Sequence, residues 1–145
     1  MLNSRRTTLI LSMKYKNNPG NLLKKAGSQY FGQLESKHPY CEFSSMELGV
    51  RAIAAFVALH KLKYGTTTIR ELVTQYVGKR NLDVEEYVDF VSSRLNLDPD
   101  YPDIAFTSYL TFRELIASIC FMESDYIPSY NDYCAIDVVY IHYLL

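Results

Sequence analysis

A glutamate near the end of a late apolar segment is the residue in this chain best suited to acid–base chemistry. Glu123 stands in the sequence ICFMESDY, with four apolar residues before it and polar residues after it. At the end of an apolar helix its carboxyl group would be partly desolvated and would face the negative end of the helix dipole. Both effects disfavour the ionised form, as a general acid toward a glycosidic oxygen requires. The alternative is an ordinary solvated glutamate at a helix end, and the spacing of the residues alone favours this interpretation.

Other reaction chemistries lack their residue patterns. The chain has no GxSxG, no P-loop and no GxGxxG motif. Glu35 and Glu42 are possible second carboxylates. His38 and Cys41 are three residues apart, but no second ligand pair follows, so neither a metal site nor another cofactor is expected. The cysteines are odd in number and lack CxxC spacing, which indicates free thiols: Cys41, Cys120 and Cys134.

A polar turn, NNPGN, begins at Asn17. Pro19 restricts its own φ and keeps the residue before it out of the helical region, while Gly20 tolerates a positive φ. The side chains of Asn17, Asn18 and Asn21 add amide donors and acceptors to this turn. The turn is therefore either a well-pinned loop or a surface that binds polar ligands such as sugars. The residues alone favour the pinned loop.

Composition places the chain among ordinary globular proteins. It has 145 residues, 48% of them apolar and 21% charged, and a net charge of −1, so bulk charge gives no reason to expect nucleic acid as a partner. The first 25 residues are basic. The favoured interpretation is a solvated arm, and the alternative is weak attraction to an anionic polymer. No signal peptide is recognised, and no apolar run is long enough for a membrane span. Residues 1–13 are expected to form a flexible extension and residues 14–145 a single domain.

Helix-capping patterns divide the rest of the chain into successive helices. Ser44-x-x-Glu47, Thr68-x-x-Glu71 and Asp83-x-x-Glu86 each have the form of a capping box before an apolar run. The first of these helices is strongly apolar and is expected to form the centre of the core. The fold class predicted is mainly α, with a small irregular or β-hairpin lobe near the N-terminus. The ranges expected are residues 45–64, a helix ending near Gly78, a helix after Asp83, and residues 107–122 and 132–144.

Several of these segments resemble phage lysin-like virion proteins. Members of that family carry an NNNPGN turn, a Trp-x-Gly-Gln-like element and an F-x-[ST]-M-x-x-G-x-R-A stretch. The corresponding segments here are NNPGNL, YFGQ and FSSMELGVRA, and the similarity extends over residues 16–126. The resemblance implies a lysozyme-like fold and peptidoglycan cleavage of the lytic transglycosylase type, with Glu123 as the acid. The glycan groove it implies is lined by Asn18, Asn21, Tyr30, Gln33, Tyr76 and Asn81.

The chain also departs from the family pattern. Tyr30 or Phe31 replaces the usual Trp. A W-A-P-P-x-x-E-N stretch of the family is replaced by QYVGKRN, which keeps only Asn81. The family's E-N-G is replaced by Glu123-Ser124-Asp125. Three functions therefore stay open. The first is a lytic transglycosylase or muramidase-type lysin. The second is a non-catalytic virion or mobile-element protein that binds glycan or a protein partner. The third is a peptidoglycan endopeptidase.

The partners expected from the resemblance are peptidoglycan and other phage or mobile-element proteins. The protein would be bacterial or phage-encoded, made in the cytoplasm, and active at the cell wall or in the virion. If Glu123 is the general acid, Glu123→Gln is expected to abolish lysis of sacculi while thermal stability stays near wild type.

Overall fold

The protein is described by a computed structural model over residues 12–145, so most of the predicted extension, residues 1–13, lies outside the described residues. An irregular lobe, residues 12–43, precedes the helices. Two isolated antiparallel bridges, Leu23 with Tyr40 and Gln33 with Phe43, join parts of this lobe, and no strand forms within residues 12–145. The predicted mainly α fold is confirmed. The helices are α1 (Met46–Tyr64), α2 (Ile69–Val77), α3 (Val84–Leu95), α4 (Tyr109–Ser124) and α5 (Tyr130–Tyr143), with a 3₁₀ turn at Ile104–Phe106.

Two of the predicted N-caps form as expected, and one is displaced. Thr68 and Glu71 make the reciprocal hydrogen bonds of a capping box, and Asp83 caps α3. The predicted box at Ser44 is wrong by one residue, because the hydroxyl of Ser45 accepts the N–H of Leu48 instead. At the other end of the chain, α5 begins two residues earlier than predicted, capped by Ser129.

The central position predicted for α1 agrees with its packing. It lies along α5 and also contacts α4 and α2, while α3 packs on α2 and α4. One apolar cluster runs from Leu22 in the lobe through Ile53 of α1 and Ile119 of α4 to Val139 of α5. The lobe and the helices therefore share a core. None of the helices in the described part of the chain has the length and apolar character needed to cross a bilayer.

The NNPGN turn packs directly on the helices because two glycines leave room for it. A Cβ atom on Gly49, in the first turns of α1, would lie 2.0 Å from the carbonyl oxygen of Asn17. A Cβ atom on Gly20 would lie 2.3 Å from the hydroxyl of Tyr76. The Gly49 contact is with backbone and cannot be relieved without separating the two segments, whereas the Gly20 contact would force the buried side chain of Tyr76 to shift. The glycines thus fix how closely the turn approaches α1 and α2.

Inside the turn, Asn18 satisfies the backbone of its own lobe. Its side chain is fully buried. The Nδ2 group donates to the carbonyl oxygens of Leu22, at 3.1 Å, and Cys41, at 2.8 Å, and Oδ1 accepts the N–H of Leu22 at 2.8 Å. These three hydrogen bonds are those of a pinned loop, the interpretation that the residues favoured. They leave this amide without a face toward solvent.

Candidate functional site

Glu123 lies in the last turn of α4 and is fully buried. Its carboxylate pairs with the guanidinium of Arg80, which comes from the loop between α2 and α3. Arg80 Nη1 lies 2.8 Å from Glu123 Oε1, and Nη2 lies 2.7 Å from Oε2. The Arg80 side chain is 9% exposed. This is a two-pronged arginine–carboxylate pair removed almost entirely from water.

Two further donors complete the surroundings of the carboxylate. The hydroxyl of Tyr87, on α3, donates to Glu123 Oε2 at 2.7 Å. The side-chain amide of Asn21 lies 3.1 Å from Oε1 and 3.0 Å from the backbone oxygen of Glu123. Asn21 reaches this position with a φ of 46°, a left-handed conformation that asparagine adopts more readily than most residues. The last asparagine of the turn is thus built into the Glu123 cluster.

The buried charges change the ionisation of their neighbours. Burial opposes the charge on Arg80, but the hydrogen bonds and negative charge of Glu123 outweigh it, so the pKa of Arg80 is raised. Burial, reinforced by the negative charge of Glu123, raises the pKa of both Tyr76 and Tyr87 well above its ordinary value. Both phenols therefore stay neutral, as the hydrogen bond from Tyr87 to the carboxylate requires.

A depression of about 400 Å³, lined by more apolar than polar surface, adjoins this cluster. Arg80 and Asn21 form its floor, and they separate Glu123 from it. The ring of Tyr40 at one side stacks on Tyr15, with 4.6 Å between ring centroids. We call this surface the Arg80 depression; its lining residues are Ser12, Lys14, Asn21, Tyr40, Arg80, Asn81 and Leu82.

Four of the predicted site residues come together around Arg80. Glu123 lies beneath it, and Asn21 and Asn81 line the depression. Tyr76 is buried, and its ring centroid lies 5.6 Å from the Arg80 guanidinium. The Tyr76 hydroxyl does not face a ligand but donates to the carbonyl oxygen of Gly20 at 2.6 Å.

The remaining predicted residues lie elsewhere. Asn18 is enclosed in the turn, as described above. Tyr30 is 5% exposed and lines a different groove, between the lobe and α1. Gln33 closes a local turn, since its Oε1 accepts the N–H of Tyr30 at 3.0 Å, and it pairs with Phe43 across the lobe. Neither Glu35 nor Glu42 lines the Arg80 depression. Within residues 12–145, Glu123 is thus the predicted carboxylate that contacts Arg80 beside the depression.

The environment of Glu123 differs from the partly solvated helix end that the sequence suggested. The carboxylate faces the NNPGN turn, but in direct contact rather than across a cleft. Every neighbour that approaches it is a hydrogen-bond donor. These are the contacts of a carboxylate anion, not those of a protonated acid that must donate.

Arg80 and Tyr87 are the site residues that sequence reasoning missed. Arg80 stands in a loop without a motif, and Tyr87 fitted the apolar face of its helix. One signal was available. A glutamate among apolar residues needs a partner of opposite charge if the helix is buried on all sides. Arg80 lies within QYVGKRN, the segment that replaces the family's W-A-P-P-x-x-E-N stretch.

Other chemistries find no support in residues 12–145. No cluster of three or more His, Cys, Asp or Glu side chains is placed there to hold a metal ion. The prediction of free thiols is confirmed: Cys41 and Cys120 are buried, and Cys134 is half-buried, without disulfide partners in the described range. Burial raises the pKa of Cys41 to about 11, so its thiol is not an activated nucleophile.

Comparison with known proteins gives one informative similarity. No family model matches the chain. The chain is similar to Protein P5 of Pseudoalteromonas phage PM2, with 28% identity over 101 residues. The match covers 61% of this chain and 62% of the phage protein. The match therefore spans less than two thirds of the length of the phage protein.

Proposed function

We propose that this chain is a phage-encoded protein with a lysozyme-like arrangement that binds the glycan strands of peptidoglycan without cleaving them. One observation carries the proposal: Glu123 is fully buried, and both of its carboxylate oxygens accept hydrogen bonds from Arg80. A general acid must come within roughly 2.6–3.2 Å of the oxygen that it protonates. Beneath Arg80, the carboxyl group of Glu123 has no path to a glycosidic oxygen.

The Arg80 depression has side chains suited to a glycan. The buried amide of Asn21 already donates to Glu123 and to the backbone oxygen of Ser12, so other lining residues supply the groups for a ligand. Asn81 brings an amide group, Tyr40 brings an aromatic ring, and Lys14 brings a cation. Peptidoglycan sugars carry N-acetyl amides and hydroxyl groups, and every second sugar carries a carboxyl-derived substituent, so each of these side chains has a chemical counterpart. The volume of about 400 Å³ falls within the range usual for ligand sites.

The phage context rests on the similarity to Protein P5 of phage PM2 and on the lysin-like segments of the sequence. The proposed lysozyme-like arrangement is supported by the same sequence segments. It is also supported by the hydrogen bond between Asn21 of the turn and Glu123 at the end of α4.

The proposal is tested by incubating the purified protein with insoluble peptidoglycan sacculi. We expect the protein to sediment with the sacculi while no anhydro-sugar ends, reducing ends or new amino groups appear in the supernatant. Lys14→Ala is expected to weaken sedimentation, because Lys14 lines the depression. Lys79→Ala is the matched control, since Lys79 is also exposed but lies outside the lining.

Each product has a distinct meaning in this assay. Anhydro-sugar ends would identify a lytic transglycosylase, reducing ends a hydrolase, and new amino groups a peptidase, and any of them would overturn the non-catalytic proposal. Failure of the wild-type protein to sediment would overturn glycan binding. Equal weakening by the Lys14 and Lys79 substitutions would place the glycan on another surface.

A second candidate is a glycan-cleaving enzyme in which Arg80 covers the acid. It is favoured by the position of Arg80, which both contacts Glu123 and lines the depression, so that one side chain separates the carboxyl group from the ligand space. On this view Arg80→Ala releases sugar products from sacculi, and the double variant Arg80→Ala/Glu123→Gln does not. Absence of products from folded Arg80→Ala protein rejects this candidate.

A further inference from the structure

A second groove runs along α1 and shares no lining residue with the Arg80 depression. It consists of three adjoining depressions of about 90, 220 and 280 Å³. The first and second share Lys25, Tyr30 and Leu59. The second and third share His60, Tyr64 and Gln75. The three depressions therefore adjoin one another, and together we call them the α1 groove.

The length of the groove follows from the helix that forms its floor. Arg51, Ala55, Leu59 and Lys63 are spaced four residues apart and line it in order along one face of α1. At 1.5 Å per residue the first and last of them are roughly 18 Å apart. This length suits an extended polymer better than a compact small molecule.

Cations alternate with aromatic rings along this path. The Arg51 guanidinium lies 4.3 Å from the ring centroid of Phe31, and Lys63 Nζ lies 5.3 Å from that of Tyr64. Between them, Lys25 Nζ lies 4.2 Å from the centroid of Tyr30. Phe31 is 67% exposed, and Tyr64, whose ring centroid lies 4.7 Å from that of His60, is 51% exposed. The ring of Tyr30, which holds Lys25, is buried.

The charge of the groove is strongly one-sided. Arg51, Lys25 and Lys63 make no ion pair with any residue in the range 12–145. The lining contains one acidic side chain, Glu71, and its carboxylate is engaged in capping α2. The overall net charge of −1 gave no reason to expect nucleic acid as a partner, but the charge of this groove is positive.

We propose that the α1 groove binds single-stranded nucleic acid, with bases stacked on Phe31 and Tyr64 and phosphates facing Arg51, Lys25 and Lys63. Proteins that bind single strands combine a cationic groove with aromatic platforms in this way. At the roughly 3.4 Å spacing of stacked nucleotides, the groove spans about five of them. Phe31 offers an exposed ring without a polar group, which suits stacking on the face of a base.

The experiment measures fluorescence anisotropy of a labelled 15-nucleotide oligothymidine with the full-length protein. We expect the affinity to fall about tenfold for Phe31→Ala and for Tyr64→Ala, as is usual when one stacking ring is removed. For Arg51→Ala we expect weaker binding and a salt dependence shallower by about 0.7 in the slope of log affinity against log salt. Arg94→Ala is the matched control, because Arg94 also lies over a phenylalanine ring, Phe121, but outside the groove.

The outcomes separate this proposal from the one on glycan binding. No binding of the oligonucleotide at low salt, or equal losses for Arg51→Ala and Arg94→Ala, would overturn it. Tighter binding of a uronic-acid polysaccharide than of oligothymidine, with the same dependence on Phe31 and Arg51, would assign the groove to an acidic glycan and equally overturn it. Lys14→Ala is expected to weaken sacculus binding and to leave oligonucleotide affinity unchanged, so each proposal can fail alone.

Discussion

At the scale of single residues, the Glu123–Arg80 pair decides how the site is interpreted. A charged carboxylate in a fully buried position is tolerated only when its partners replace the water that it has lost. Arg80, Tyr87 and Asn21 supply four hydrogen bonds to its two oxygens. These hydrogen bonds satisfy the negative charge of the carboxylate, and they also keep its oxygens from reaching a substrate. A structural role for Glu123 thus follows from the same contacts that exclude an accessible acid.

Replacing Glu123 by glutamine is therefore expected to destabilise the protein, contrary to the near-wild-type stability expected of a purely catalytic residue. The substitution leaves the Arg80 charge buried without its partner, and loss of one member of a buried pair costs about 3–5 kcal/mol. The free energy of unfolding from urea titrations measures this directly. Glu114→Gln, on the exposed side of the same helix, is the control and should change stability by less than about 0.5 kcal/mol. A Glu123→Gln protein as stable as the control would show that the pair contributes nothing to the fold.

At the scale of elements, the contact between the NNPGN turn and α1 depends on the absence of one side chain. In an exposed helix, alanine in place of glycine is usually more favourable by about 1 kcal/mol. At Gly49 the added Cβ would meet the Asn17 carbonyl oxygen at 2.0 Å. The steric effect opposes the helix propensity and exceeds it, because neither backbone can move without opening the core beneath the turn.

Gly49→Ala is thus expected to lower the free energy of unfolding by more than 2 kcal/mol, the range of overpacked cores and strained backbones. Gly27→Ala serves for comparison. Gly27 has a φ of 78° and nothing near its Cβ position, so only the backbone strain of about 1 kcal/mol should appear. Urea denaturation of both variants gives the two values under the same conditions. A stabilising Gly49→Ala would mean that the turn does not rest on α1.

The sequence predicted most of the elements because their signals are local. Caps such as Thr68 and Asp83, and terminating glycines such as Gly65 and Gly78, act within a few residues of where they stand. The partners of Glu123 could not be found in the same way. Arg80 is 43 residues away along the chain, and the Asn21 contact spans 102 residues. The α1 groove could not be predicted from the sequence either, because Lys25 and Lys63 line the same depression only after the lobe has packed on the helix.

At the scale of the whole molecule, the turn is held against the helices by polar contacts that converge from two elements. The Ser124 hydroxyl, at the end of α4, donates to the carbonyl oxygen of Pro19 at 2.7 Å. The Tyr76 hydroxyl, on α2, donates to the neighbouring carbonyl oxygen of Gly20 at 2.6 Å. Together with Asn21 they join the lobe to α2 and α4, and the Arg80 depression is lined partly by the lobe and partly by the loop between α2 and α3. The shape of that depression therefore depends on how firmly the lobe is held.

Removing both hydroxyls is expected to loosen the lobe before the helices. In Tyr76→Phe/Ser124→Ala, two adjacent carbonyl groups lose their donors, at about 1–3 kcal/mol for each buried group left unsatisfied. Amide hydrogen exchange should become faster in residues 17–23, while the middle of α1 and α5 keeps its protection. Thr74→Ala, which removes an exposed hydroxyl from α2, is the control. If exchange instead rises equally in the turn and in α1, the lobe and helices unfold as one cooperative unit. In that case the depression opens only with the whole core, and a ligand bound there would stabilise the entire protein rather than the lobe alone.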